Sequence, residues 1–140
     1  MAPEKDPVYM GSLLRVDLTN NKVTAEILDQ EVVRKYIGGT GFGARILYDE
    51  VAPGVEWDQP ENRMILASGP LGGTRMAGSG TFSLVTKGPL TNGGTATQAN
   101  GYLGTYLRLN GIDGVVFQGT SDHWVYLYIC LLYTSDAADE

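Results

Sequence analysis

Between Gly78 and Gly119 the chain reads GSGTFSLVTKGPLTNGGTATQANGYLGTYLRLNGIDGVVFQG, with glycines, threonines and amide side chains set between short apolar runs. Such residues are poor acids and bases. They bring bare backbone and neutral hydrogen-bonding groups up to a large polar ligand. Gly78 and Gly80 permit close backbone approach. Gln98 and Asn100 offer neutral oxygens suited to a hard cation such as Mg2+, which often bridges phosphates. A helix starting near Gly101 would aim its first amides at an anion. Two readings stand side by side: a cradle for a phosphate-bearing ligand, and a glycine-rich strand–loop–helix of purely structural purpose.

Other chemistry has less to build on. Gly39-Thr40-Gly41-Phe42-Gly43-Ala44 fits the dinucleotide pattern GxGxxA. That motif works only when a strand precedes it and its helix N-terminus meets the pyrophosphate. Here a helical pattern precedes it, so a glycine-rich helix–helix turn is the better reading. No Walker A pattern is present. His123 is the sole histidine and Cys130 the sole cysteine. No metal cluster or nucleophile–base pair can be assembled from them. The carboxylates are scattered and read as caps and solvated faces.

The elements that must position the glycine-rich block follow from periodicity. Leu14, Val16 and Leu18 alternate with Arg15 and Asp17, the period of a half-buried strand. Thr19-Asn20-Asn21-Lys22 is a turn, and Val23, Ala25 and Ile27 complete a hairpin. Asp29 caps a helix carrying Val32, Val33, Tyr36 and Ile37, which Gly38-Gly39 stops. A second helix covers Gly41–Glu50, and Ala52–Asn62 is a loop. Arg63–Ser68 and Phe82–Lys87 read as strands joined by the glycine-rich stretch Gly69–Gly80. Gly93–Asn100 is a strand or an extended loop. Tyr102–Asn110 is a helix with Leu103, Tyr106 and Leu107 inward. Gly114–Gln118 and Trp124–Ile129 are two further strands. The fold class is α+β, with mixed or antiparallel sheets and three short helices.

The last eleven residues, CLLYTSDAADE, match the translation of a transposase sequencing adapter. Cys130–Glu140 is therefore expected to be a non-native scar, the alternative being a polar tail. On that expectation the native part, residues 1–129, has no cysteine for a disulfide, zinc or an iron–sulfur cluster. Without Asp136, Asp139 and Glu140 the net charge of −6 becomes −3. This mild acidity carries no nucleic-acid footprint. No signal peptide is visible, and no apolar run approaches the ~20 residues of a membrane helix. A cytoplasmic location is expected.

Five segments together resemble one family. LLRVDLTNNKVTAEI resembles its opening hairpin and VRKYIGGTGFGARILYDE its two-helix segment. PENRMILASGPLGGT resembles its PEN-strand-GPLTGT motif, with Gly72 where threonine is usual. GSGTFSLVTKGPLTN and QANGYLGTYLRLNGIDGVVFQG resemble the segments of its pterin platform. The family is the tungsten-pterin aldehyde:ferredoxin oxidoreductases, and the resemblance is to their N-terminal domain.

The resemblance implies an enzyme that oxidises aldehydes to carboxylic acids and passes electrons to ferredoxin. It implies a tungsten–bispterin cofactor, a Mg2+ joining the two pterin phosphates, and a [4Fe–4S] cluster. The cluster cysteines and the acid–base residues would lie in later domains, so the chain is expected to be an incomplete N-terminal domain, inactive by itself. The cofactor-binding residues that the resemblance implies are Gly80, Thr81, Gln98, Asn100 and Gly101, together with Arg75 from the same loop. Gln98 also joins the metal shell through its backbone oxygen. Three site positions depart from the best-known members: Thr81 stands where they have an arginine, Gln98 where they have an asparagine, and Asn100 where they have a glycine near the pterin. Thr81 supplies no charged fork, and Arg75 is the candidate to reach the site instead. Two alternatives remain, a tungsten-dependent aromatic acyl-CoA reductase of the same superfamily and a non-catalytic binding module. Assembly as a homo- or hetero-oligomer is left open.

Overall fold

Alternating apolar residues pair first with their chain neighbours. In the computed structural model, which describes residues 9–130, strand β1 (Ser12–Asp17) and strand β2 (Lys22–Ile27) form the expected antiparallel hairpin. Asp17 closes its turn by accepting from the Asn20 N–H at 3.0 Å. Helix α1 (Gln30–Tyr36) is capped by Asp29, whose carboxylate accepts from the Glu31 N–H. It ends on Ile37 at φ 66° rather than on a glycine. Positive φ is costly for a β-branched residue, so tertiary contacts hold this turn. Helix α2 (Thr40–Glu50) follows at once.

Strands β3 (Arg63–Ser68) and β4 (Phe82–Lys87) form an antiparallel pair, and β5 (Gly94–Ala99) is a strand rather than a loop. Helix α3 (Leu103–Leu109) then leads into β6 (Gly114–Gln118). The six strands make one sheet in the order β2-β1-β6-β3-β4-β5. Among the described residues only β1 and β6 pair in parallel. The α+β class with three helices is therefore observed.

Each face of the sheet has its own cover. Leu13, Ile65, Ala67, Val85 and Val116 pack against Val33 of α1 and Phe42 and Leu47 of α2. Val16 and Val115 pack on the other face against Leu107 of α3 and Ile112. The edge strands β2 and β5 are exposed along their whole length.

Two expectations need correction. On α3 the buried residues are Gly104, Leu107 and Arg108, while Leu103 and Tyr106 are 40% and 59% exposed. A three-and-four spacing still sets the buried stripe. Close packing selects Gly104 and an ion pair selects Arg108, so apolar character alone misplaces the face. Trp124–Ile129 forms no strand. Leu127 and Ile129 instead pack on the sheet-face cluster beside Val16 and Leu107. Trp124, Tyr126 and Tyr128 point outward. Of the expected scar only Cys130 falls within the described residues.

Two ionic networks lock these layers. Arg108 Nη1 donates to Asp113 Oδ1 at 2.5 Å in the interior. The same carboxylate accepts from the backbone N–H of Met10 and Gly11, and the Asp113 backbone bonds Ser12 and Ser68. On the other face Arg15 grips Glu50 with two bonds of 2.8 Å, and Arg63 Nε adds a third at 2.9 Å. Glu50 ends α2, where the helix dipole disfavours a negative charge. Burial also works against its carboxylate, but the two arginines outweigh it and hold the carboxyl below its ordinary value of 4.5.

Asp113→Ala should destabilise the fold by about 3–5 kcal/mol in urea titration, because it removes one partner of a buried, hydrogen-bonded ion pair. A loss under about 1 kcal/mol would contradict the central place given to this pair. Glu50 adds a pH dependence. A depressed native value means that its stabilisation is present above 4.5 and is lost as the pH falls through the lower native value. Glu50→Gln should therefore unfold at lower urea than the parent at neutral pH, with the gap closing in acid.

Candidate functional site

The β4–β5 hairpin sets the geometry. Its turn carries a bulge at Asn92, which takes φ 54°. The Asn92 N–H donates to the Gly88 carbonyl, and the Gly88 N–H donates to the Gly93 carbonyl. Antiparallel pairs alternate between bonded and non-bonded from that point. Lys87↔Gly94, Val85↔Ala96 and Ser83↔Gln98 are then non-bonded pairs. The backbone N–H and C=O of Gly94, Ala96 and Gln98 consequently point away from β4, to the open edge of the sheet.

Ser83 and Gln98 share the face covered by the helices. Thr40 Oγ1 at the start of α2 donates to Ser83 Oγ at 3.0 Å. The α1–α2 turn is tied to the end of β3 by the Gly39 N–H, which donates to the Ser68 carbonyl at 2.9 Å. Between this turn, the β3–β4 loop and β5 lies a cavity of about 450 Å3. Gly38–Gly41, Gly69–Gly72, Gly78, Ser79, Thr81, Ser83 and Gln98 line it, with no charged side chain among its walls.

Hydroxyl groups brace the loop. Thr74 donates to the Leu71 carbonyl, Ser79 to the Thr74 carbonyl and Thr81 to the Gly78 carbonyl, each at 2.8 Å. Thr81 Oγ1 also stands 2.5 Å from Asn100 Oδ1. The loop meets the approach to α3 backbone to backbone. A Cβ on Gly80 would stand 1.6 Å from the Gly101 carbonyl oxygen, and one on Gly104 would stand 2.7 Å from the Thr81 carbonyl oxygen. Glycine is required there by contact.

Of the residues singled out in the sequence, Thr81 and Gln98 line the cavity. Gly80, Asn100 and Gly101 stand directly behind it through the contacts just described. Arg75 is exposed on the same loop and is not among the cavity walls. The start of α3 does not line the cavity either. The start of α2 does, with Gly39 at the cap position, no side-chain cap and no acidic residue in its first turn. This anion-friendly end was missed in the sequence because the glycines around it were assigned to stopping one helix and turning into the next. That turn reading of Gly39–Ala44 is observed, and the same turn also forms a cavity wall.

The chemistry open to such a site is binding. Backbone amides and neutral hydroxyls can hold an anion. Among the described residues no group of three or more His, Cys, Asp or Glu is placed to hold a metal. A hard cation here would rely on neutral oxygens, such as the outward Gln98 carbonyl, together with oxygens of its ligand. His123 is exposed and contacts Asp122 on a different part of the surface. A second, more apolar cavity of about 460 Å3 adjoins the first at Thr40, between α2 and β5.

Residues 13–131 match the family model described as aldehyde ferredoxin oxidoreductase, N-terminal domain. The tungsten-containing aldehyde ferredoxin oxidoreductase of Pyrococcus abyssi is 40% identical over 121 residues, covering 86% of this chain and 20% of the relative. The aliphatic sulfonate oxidoreductase WOR-like subunit of Pyrococcus furiosus is 37% identical over 126 residues, again covering 86% and 20%. The solved active-site complex BamBC of benzoyl coenzyme A reductase with 1,5 dienoyl-CoA superposes at a TM-score of 0.84 and 36% identity. That match covers 87% of this chain and 19% of the other. The chain thus spans about a fifth of the length of its curated relatives.

The backbone contact at Gly80 makes a specific expectation. Gly80→Ala should destabilise the fold by about 1–3 kcal/mol through overpacking. Gly69→Ala, where an added Cβ meets nothing within 4 Å, should stay within about 0.5 kcal/mol of the parent. Paired urea titrations test this, and equal losses would remove the contact argument.

Proposed function

Since the chain belongs to the aldehyde ferredoxin oxidoreductase family, as its N-terminal domain, we propose that it seats the phosphorylated end of a tungsten–bispterin cofactor. The observation carrying this reading is the uncharged cavity walled by the α1–α2 turn, the β3–β4 loop and Gln98 of β5. A pterin phosphate is a dianion that needs donors. The Thr40 and Phe42 amides at the start of α2 and the Ser83 hydroxyl, whose protons have no acceptor among the described residues, fit that need without a fixed counter-charge. The Gln98 backbone carbonyl, directed to the open edge, fits a place in the shell of a bridging Mg2+. Gly80 and Gly101 keep the wall behind Thr81 thin enough for backbone to approach the ligand. Asn100 orients Thr81 from behind.

When bound, the cofactor supplies the redox chemistry. The residues described here hold phosphate and fix position, and they move no proton. In this reading the parent protein oxidises an aldehyde to a carboxylic acid, with ferredoxin as electron acceptor and a [4Fe–4S] cluster ligated elsewhere. Named relatives that are tungsten-containing aldehyde oxidoreductases favour it. A second reading, an aromatic acyl-CoA reductase, is favoured by the likeness to the benzoyl coenzyme A reductase complex. No helix among the described residues is long and apolar enough to cross a membrane, which accords with the cytoplasmic location that a ferredoxin-linked enzyme implies.

Tungsten and pterin analysis of the purified parent protein should find both, and their joint absence would sink the reading. A panel of aldehydes, aromatic acyl-CoA thioesters and alkyl sulfonates then separates the substrate classes. The 140-residue chain by itself should show no viologen-linked aldehyde oxidation. In the parent, Gln98→Ala should leave pterin content unchanged, because the backbone supplies the metal contact.

A further inference from the structure

The chain contains three Asn–Gly pairs, Asn92–Gly93, Asn100–Gly101 and Asn110–Gly111. Such pairs are prone to self-modification, because a glycine N–H unshielded by a side chain can attack the preceding amide. The fold protects two of them. The Asn92 side-chain NH2 donates to the Val55 carbonyl, and the Gly93 N–H donates to Thr91 Oγ1. The Asn110 side-chain NH2 donates to the Tyr106 carbonyl at 2.7 Å, and the Gly111 N–H donates to the Arg108 carbonyl at 3.0 Å. In both pairs the attacking nitrogen and the target amide are held by other partners.

The third pair differs in each respect. Asn100 and Gly101 are both exposed. The Gly101 N–H has no hydrogen-bond partner among the described residues. Gly101 takes φ 146°, and the space where a Cβ would stand is open to beyond 4 Å. Thr81 Oγ1 stands 2.5 Å from Asn100 Oδ1, the atom on which negative charge develops when the amide is attacked. Thr81 has one hydroxyl proton, shared between the Gly78 carbonyl and this oxygen; turned to Oδ1 as charge develops, it lowers the barrier by the same logic as an oxyanion hole.

We propose that Asn100–Gly101 is a built-in deamidation site, activated by Thr81, that converts to aspartate and isoaspartate. The Gly101 nitrogen loses its proton to solvent and bonds to the Asn100 side-chain carbonyl carbon. The bond from that carbon to Nδ2 breaks, and ammonia leaves with a proton. Water then opens the cyclic imide at either carbonyl, breaking one carbon–nitrogen bond and leaving one carboxylate. No oxidant or reductant takes part. If the cavity seats phosphate as proposed above, the new carboxylate beside Thr81 repels it. That consequence rests on the cofactor reading, whereas the modification itself does not.

Ageing the folded 140-residue chain at mildly alkaline pH, with fragment-ion mass spectrometry to locate each conversion, tests this. Asn100 should convert several-fold faster than Asn92 and Asn110, with isoaspartate appearing at position 100. In denaturant the three pairs should converge. Thr81→Val, checked for a parent-like melt, should slow conversion at Asn100 and leave the other two unchanged. The proposal is overturned if Asn92 or Asn110 keeps pace in the folded chain, or if the preference for Asn100 survives denaturation. An unchanged Asn100 rate in Thr81→Val removes the activating role. None of these readouts depends on cofactor, so failure of the cofactor reading leaves them interpretable.

Discussion

Asp113 must be satisfied in the interior, and much of the molecule is arranged around that demand. Its carboxylate is 2% exposed and is met by the guanidinium of α3 and two amides of the segment before β1, while its backbone bonds β1 and β3. A charge buried without such partners costs more than the fold can offset. Once Arg108 is drawn in to meet it, the rotation of α3 about its axis is fixed. Gly104 then faces the carbonyls of Gly80 and Thr81 at a distance that only a glycine allows. The position of the β3–β4 loop, and with it one wall of the cavity, thus traces back to a carboxylate that never touches the cavity.

The other wall follows from the opposite face. Arg15 and Arg63 hold the last residue of α2, while Thr40 and Gly39 at its first turn are tied to Ser83 and Ser68. A helix pinned at both ends presents its uncapped amides in a fixed direction. The partial positive charge at a helix start is delivered by peptide dipoles already in place. The proposed phosphate seat would rely on these dipoles rather than on a mobile cationic side chain, and its walls carry no charge. The exposed Arg75 is better suited to solvent or to a surface outside the cavity than to this role.

How much of this was legible depended on range. The β3 and β4 boundaries, the Asp29 cap and the β1–β2 hairpin are local properties, carried by alternation and turn chemistry. The inward face of α3 was not legible, because Leu103, Tyr106 and Leu107 look like the stripe on apolar character. What decided the face was Asp113, five residues beyond Arg108, together with a carbonyl wall donated from another loop. The Trp124–Ile129 alternation was real, but Leu127 and Ile129 pack on a sheet face and the segment forms no strand. In the site, Thr81, Gln98 and Asn100 were visible through resemblance and residue type. Gly38–Gly41 was not, since a helix stop and a cavity wall demand the same glycines and only tertiary placement tells them apart.

The two sheet edges show why one end of the sheet is suited to a ligand. An open edge is a row of unpaired donors and acceptors that invites another strand, and proteins commonly guard it with charge. β2 carries Lys22 and Glu26 along its edge, and Glu26 is engaged by Arg15. β5, Gly-Thr-Ala-Thr-Gln-Ala, has no charge, no proline and no bulky side chain. A guard on β5 would defeat the proposed use: a lysine there would compete with Mg2+ for phosphate oxygens, and an acid would repel the phosphate outright. Backbone that must coordinate has to remain bare. On the proposed function, the lack of protection on β5 and the capacity to bind would be one property, with an occupant giving the outward carbonyls and amides the partners that β4 cannot.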